Sequence, residues 1–157
     1  MRLTNYNTVK IIPGFYYFAL VAILLIVFLN AQFDNTLFAD TKYYRGVLGI
    51  IFLLMIYVYF GGKYFDYDSD GNLISISNRG ILLSNFLNYR TRQIDIQKHK
   101  VYDYAIYDFL IYKRLIIYTK SKRGMAKYRA NITFVSPRKI DFIKQSLKKV
   151  IQENKQS

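Results

Sequence analysis

The sequence predicts an α+β membrane protein, in which a pair of apolar helices precedes an antiparallel β domain that ends in one helix. Three observations support this fold class. Two uncharged apolar runs occupy Ile11–Asn30 and Gly46–Gly62, and a helix needs about 20 such residues to cross the hydrocarbon core of a bilayer. The hydrophobic pattern then changes to alternation, which is typical of strands. Near the C-terminus it changes again, to the spacing of an amphipathic helix.

The two apolar runs predict a transmembrane helical hairpin in residues 1–62, with spans at about 11–30 and 45–61. No charged side chain interrupts either run, which argues against a proton or ion path, because such paths need ionisable groups within the membrane. A cleaved signal peptide is the alternative for residues 1–30. It would have a shorter apolar core and small residues at the cleavage site, so we expect an anchor of two helices.

The distribution of charge predicts the orientation of this hairpin. The chain has 23 Lys and Arg against 10 Asp and Glu, for a net charge of +13. The link between the runs, residues 31–45, has as many acidic as basic residues, and most of the basic excess follows Lys63. Cytoplasmic segments carry the excess of Lys and Arg. We therefore expect both termini in the cytoplasm and the link outside.

The second part of the chain, residues 63–157, predicts a cytoplasmic domain of six or seven antiparallel strands. Asp70-Gly71 is a strong hairpin turn signal, and 78–80 (Asn-Arg-Gly) predicts a second turn. A basic hairpin loop is expected at Lys120–Lys127. The segments with strand character are Lys63–Asp68, Leu73–Ser77, Ile81–Arg92 in part, Gln93–Ile96, Val101–Tyr107, Arg114–Thr119 and Tyr128–Val135.

The chain then predicts one terminal amphipathic helix. Ser136 suits the N-cap position and Pro137 the first helical position. Apolar residues follow at helical spacing, with lysines mostly on the other face. We expect this apolar stripe to cover an open end of the β structure, in preference to binding the membrane directly. The stripe consists of Ile140, Ile143, Leu147, Val150 and Ile151.

In this order of elements the chain resembles the bacterial PH-like domain membrane proteins, in which two transmembrane helices precede a pleckstrin-homology-like domain. The resemblance implies an antiparallel β barrel or sandwich capped by the C-terminal helix, and a non-enzymatic domain that binds lipid or protein. The first hairpin loop here is acidic, so inositol phosphate binding is not expected. The features that carry the resemblance are Tyr64–Asp68, Asp70–Ser77, Arg79-Gly80, Arg114–Thr119 and Ser136–Gln152.

The reactive residue types argue against an enzyme. The chain has no Cys and a single His, which excludes thiol catalysis, disulfides and His-rich metal sites. The run Asp66-x-Asp68-x-Asp70-Gly71 matches the start of an EF-hand loop, but Ser77 occupies the twelfth position, where calcium binding needs Glu. A hairpin turn is the expected structure there, and a calcium-responsive module is the weakest alternative. We expect no catalytic residues, cofactor, metal or small-molecule substrate.

The most suggestive binding segment is basic. A cation near the inner leaflet gains about 1 kcal/mol from the negative surface potential, so we expect contact with anionic lipid headgroups in a membrane-anchored binding or scaffolding protein. A solvated loop kept soluble by its charge is an equally supported interpretation, and an accessory subunit of a larger membrane complex is the second function. Nucleic acid is not an expected partner. The candidate lipid-binding residues are Lys120, Lys122, Arg123, Lys127 and Arg129.

Overall fold

The computed structural model describes residues 1–32, 41–82, 92–109, 112–121 and 124–156. It confirms an α+β fold with an apolar N-terminal helix, two antiparallel sheets and a C-terminal helix. The elements are β1 (Arg2–Thr4), α1 (Tyr6–Val9), α2 (Ile12–Gln32), α3 (Thr41–Gly61), β2 (Lys63–Asp68), β3 (Leu73–Gly80), β4 (Arg92–Gln97), a 3₁₀ turn (Lys98–Lys100), β5 (Val101–Phe109), β6 (Tyr112–Ser121), β7 (Gly124–Asn131) and α4 (Pro137–Gln156).

The first sheet has the order β1-β2-β3-β4, and all of its pairs are antiparallel. The predicted turn at Asp70-Gly71 joins β2 to β3, with Gly71 at a φ of 61°. The predicted turn at residues 78–80 is wrong, because these residues continue β3 opposite Lys63–Phe65. Asn78 is buried there, and its side chain forms two hydrogen bonds with the backbone of Asn131 in the second sheet. Its Oδ1 accepts from the Asn131 N–H at 2.8 Å, and its Nδ2 donates to the Asn131 carbonyl at 3.3 Å. Tertiary pairing thus overrides the local turn signal.

The second sheet has the order β5-β6-β7. The predicted basic loop at Lys120–Lys127 is wrong for most of its length, because the β6–β7 pairing continues to Ser121 opposite Gly124. Only residues 122–123, which lie outside the described part, separate the two strands. The predicted strand at Tyr128–Val135 instead ends at Asn131, and a turn closed by a hydrogen bond from Val135 N–H to the Ile132 carbonyl follows it.

The two sheets pack face to face around one apolar core. Strands β4 and β5 are not paired with each other, so the described residues form no closed barrel. Helix α4 covers this core with its predicted stripe, since the side chains of Ile140, Ile143, Leu147 and Val150 are buried among residues of both sheets. The predicted covering role of the C-terminal helix is therefore confirmed.

The apolar helices stand apart from this core. Helix α2 buries none of its residues. Together α1 and α2 form the helical segment Tyr6–Gln32, 27 residues, which is the one segment in the described part that is long and apolar enough to cross a membrane. Helix α3 forms where the second apolar run predicts it, but its apolar stretch, Arg45–Gly61, is shorter. The first predicted span is thus supported by length and composition, whereas a two-helix hairpin is not established.

Candidate functional site

The predicted basic segment lies on the outer face of the second sheet, which is the face turned away from the core. Lys120 is in β6, and Lys127 and Arg129 are in β7; all three side chains are exposed. Lys122 and Arg123 lie outside the described residues. The strand register places Lys127 opposite Tyr118, and Arg129 opposite Ile116. The structure therefore brings three of the five predicted cations together on one surface.

Aromatic side chains are interleaved with these cations. The Lys127 Nζ lies 5.4 Å from the centre of the Tyr118 ring, and the Tyr102 ring lies 6.1 Å from the same ring. The Tyr102 hydroxyl contacts the Met125 sulfur at 3.5 Å, and Met125 is 70% exposed. Desolvation raises the pKa of Tyr118, and its contact with Tyr107 raises it further. Sequence reasoning missed this aromatic group. The signal for it was the alternation of side chains along each strand, because alternate residues of neighbouring strands lie on the same face of a sheet.

The other nearby cations are engaged in local contacts. The Lys113 ammonium forms an ion pair with Asp108 at 2.8 Å. The Arg114 guanidinium lies over the Tyr112 ring, 5.0 Å from its centre, and donates to the Tyr112 hydroxyl. By contrast, the described residues offer no carboxylate partner to Lys120, Lys127 or Arg129. These three cations are therefore available to an anionic partner. They also lie on or beside an edge strand, where charge opposes pairing with another chain.

The basic end of the β6–β7 hairpin is remote from the apolar helices. At the other end of β6, the Lys113 N–H donates to the Thr133 hydroxyl, and Thr133 and Phe134 lie beside Gly61 at the end of α3. The eight residue steps from Lys113 to Ser121 correspond to about 26 Å of extended strand. A bilayer around the helices would meet the cations of this hairpin only if β6 and β7 lay along the membrane surface.

The three carboxylates in and beside the acidic turn between β2 and β3 all have partners within the chain. Asp66 pairs with Arg2 at 3.1 Å, Asp68 accepts from the Asp70 N–H at 2.9 Å, and Asp70 pairs with the N-terminal ammonium of Met1. Each carboxylate thus has a different partner. Across the described ranges, no three His, Asp or Glu side chains are grouped as a metal site would require.

No protein family model, curated protein or solved structure matches this chain.

Proposed function

We propose that this chain is a non-enzymatic binding and scaffolding protein of the bacterial inner membrane. In this proposal α2 and α3 both cross the bilayer and hold a PH-like β domain at its cytoplasmic face, where the outer face of the second sheet contacts anionic lipid headgroups. The two antiparallel sheets and the helix that covers their core support the PH-like assignment.

The pairing of β1 with β2 is the observation that carries this proposal. Strand β1 precedes α2, and β2 follows α3, yet Arg2–Thr4 lies antiparallel to Asp66–Asp68. The chain therefore leaves the β domain and returns to it on the same side. If α2 crosses a bilayer, an even number of crossings must separate the two strands, and α3 supplies the return.

Asn5 fixes this connection at the point where the chain leaves the sheet. Its side chain is buried and acts like one more peptide group of the strand: Nδ2 donates to the Lys63 carbonyl at 2.9 Å, and Oδ1 accepts from the Phe65 N–H at 2.8 Å. Val9, four residues later, is fully buried. The start of the first apolar helix is thus attached directly to the strand that follows the second.

The dimensions and surfaces of α3 fit a second crossing. Its apolar stretch, Arg45–Gly61, corresponds to about 26 Å of helix, slightly less than the ~30 Å hydrocarbon core. Arg45 and Lys63 stand near its ends, where long cationic side chains reach the headgroups. Both helices expose large apolar side chains that water would solvate poorly. These include Phe15, Phe18, Leu24 and Phe28 of α2, and Ile50, Phe52, Leu53 and Phe60 of α3.

Lipid contact by the second sheet predicts a charge-dependent approach of the hairpin to the bilayer. The full chain carries a fluorophore on Ser121→Cys and is reconstituted in nanodiscs that contain spin-labelled headgroups. The fluorescence should be quenched in phosphatidylglycerol discs and much less in phosphatidylcholine discs. Added salt should reduce the quenching, because it screens exposed charges. Replacing Lys120 and Lys127 by Glu should weaken the contact roughly 30-fold, at about 1 kcal/mol for each lost cation.

The matched control replaces Lys148 and Lys149 by Glu. These residues are exposed on α4, and the double change alters the net charge by the same amount. The control should leave the quenching unchanged. Absence of quenching in both kinds of disc, or equal weakening by the control, would reject lipid contact through this surface.

A second candidate function is an accessory subunit of a membrane complex, and the loose packing of α2 against α3 favours it. An apolar cavity of about 470 Å³ opens between the two helices and is lined by both of them, for example by Phe15 and Leu54. A second apolar cavity, of about 300 Å³, is lined by both helices as well, for example by Leu20 and Phe52. A transmembrane helix of another protein could fill such space. A stoichiometric partner retained in mild detergent would support this function, and a lone monomer would count against it.

A further inference from the structure

A cleft of about 530 Å³ lies where the N-terminal segment meets the first sheet and the start of α2. We call it the N-terminal cleft. Its charged lining residues are Arg2, Lys10, Asp66 and Arg79. Three are cations and one is an anion, so the cleft carries a net positive charge. Sequence reasoning placed Arg79 in a turn and predicted no site here, because the partners in this cleft are more than 50 residues apart, as Arg2 and Asp66 are.

Two of the three cations have no carboxylate partner. The Arg2 guanidinium donates to Asp66 Oδ2 at 3.1 Å, and that pair is neutral as a unit. Lys10 has its ammonium 5.9 Å from the centre of the Tyr6 ring, and Arg79 lies opposite Tyr64 in the strand register. Neither Lys10 nor Arg79 makes an ion pair with any residue in the described ranges. The cleft thus offers two free positive charges.

The cleft also contains polar atoms that lack hydrogen-bond partners. Ser77 Oγ and Asp66 Oδ1 are both inaccessible to solvent, and neither bonds to another described residue; both residues line the cleft. Buried polar atoms are normally paired, because an unpaired one has lost its hydrogen bonds to water and gained none. A serine hydroxyl can donate to a phosphate oxygen, and a carboxylate oxygen can accept from a hydroxyl. Because neither atom is accessible, a ligand meets them only after the side chains above them move, and the groups that a phosphate in the cleft can reach directly are Lys10 and Arg79.

The position of the cleft points to a lipid as the source of that phosphate. Lys10 and Pro13 line the cleft at the beginning of α2, and uncovered apolar side chains follow at once, with Ile11 57% and Phe15 70% exposed. The boundary between polar and apolar surface marks the headgroup level of a membrane helix. A phosphate bound here would have its acyl chains directed along α2.

We propose that the N-terminal cleft binds the headgroup of an anionic glycerophospholipid. Lys10 and Arg79 hold the phosphate, and the acyl chains follow the exposed apolar side chains of α2. This inference rests on the proposed function only in requiring that α2 lie in a bilayer. It is independent of the second sheet, whose cations are on another surface.

Native mass spectrometry of the full chain in detergent tests the inference, with dioleoyl phosphatidylglycerol, dioleoyl phosphatidylcholine and soluble glycerol 1-phosphate as probes. Phosphatidylglycerol should bind at least 10-fold more tightly than either of the others. Lys10→Gln and Arg79→Gln should each weaken it about 10-fold or more, because each removes a charge-assisted contact with the phosphate. Lys148→Gln, which removes an exposed cation from α4, should have no effect.

Each contrary outcome overturns a specific part of the inference. Equal binding of phosphatidylcholine rejects recognition of an anionic headgroup, and glycerol 1-phosphate binding as tightly as the lipid rejects the lipid as ligand. Equal weakening by Lys148→Gln shows that only overall charge matters. The double replacement of Lys120 and Lys127 by Glu should leave this binding intact, so failure of the cleft and failure of the second-sheet contact are distinguishable.

Discussion

Gly62 occupies a position where no larger residue fits, at the junction between α3 and β2. Its N–H donates to the Val58 carbonyl at 2.8 Å, a bond of the helical i→i−4 type one residue beyond the end of α3. A Cβ at this position would lie 2.5 Å from the same carbonyl oxygen and 2.7 Å from the Ile81 Cδ1. The carbonyl belongs to the helix backbone and has little freedom to move. The requirement for glycine here therefore comes from crowding.

Gly62→Ala should accordingly destabilise the protein by about 1–3 kcal/mol, the usual cost of overpacking. The thermal unfolding midpoint of the detergent-solubilised chain should fall. The neighbouring Gly61→Ala is the matched control, because its Cβ would meet nothing closer than Phe134 at 3.5 Å, an ordinary contact. Equal midpoints for the two variants would contradict this account of Gly62.

Among the elements, α4 closes the core with one buried stripe. Its Leu147 is fully buried and its Ile143 nearly so, between the two sheets. A polar chain fixes the helix beside the β2–β3 turn, since the Ser146 hydroxyl lies 3.0 Å from the Tyr67 hydroxyl and 3.2 Å from the Ser69 hydroxyl. Burial raises the pKa of Tyr67, and these two serines partly oppose the rise. The amphipathic spacing alone predicted the buried stripe, but not this polar contact.

Leu147→Ala tests the covering role of α4. The substitution should cost about 2–5 kcal/mol, through lost burial and the cavity left behind. Lys148→Ala, one residue later on the exposed side of the helix, should change the free energy of unfolding by less than about 0.5 kcal/mol. Thermal unfolding in detergent, followed by circular dichroism, measures both. A Leu147→Ala variant as stable as the control would mean that α4 does not complete the core.

At the scale of the whole molecule, the first sheet joins chain segments from before and after the apolar helices. Strand β1 supplies only three residues, but the N-terminal ammonium, Arg2 and Asn5 all bond to β2 or to the turn that follows it. An isolated fragment that begins at Lys63 would lose this strand and expose the site that Val9 fills. Experiments on membrane attachment therefore need the full chain.

The connectivity predicts the sidedness of the protein in intact cells. The chain has no native Cys, so single cysteines report without background. A membrane-impermeant thiol reagent should label Asn35→Cys, in the link between the apolar runs. Arg2→Cys and Lys148→Cys should react only after permeabilisation, because β1 and α4 both belong to the β domain. Labelling of Lys148→Cys in intact cells would overturn the cytoplasmic placement, and opposite results for Arg2→Cys and Lys148→Cys would exclude an even number of crossings.

Local patterns were sufficient for the apolar helices, most strands and α4. The two uncharged apolar runs, the alternation that follows them and the helical spacing of Ile140 to Val150 are each encoded within a short segment, so they could be predicted without knowledge of distant partners. The same holds for the Asp70-Gly71 turn, where Gly71 adopts a positive φ. Basic residues around Lys120 were likewise evident, but their strand positions were not, because pairing up to Ser121 and Gly124 depends on the partner strand.

The place of β1, the extension of β3 through Asn78–Gly80 and the N-terminal cleft depend on tertiary contacts that local patterns do not encode. Each depends on partners distant in sequence: Arg2 meets Asp66, and Asn78 meets Asn131. A three-residue strand carries too little periodicity to be predicted, since most of its free energy comes from the strand that it joins. Long-range pairing thus determined which polar residues meet, while local hydrophobic spacing determined the helices and strands that bring them together.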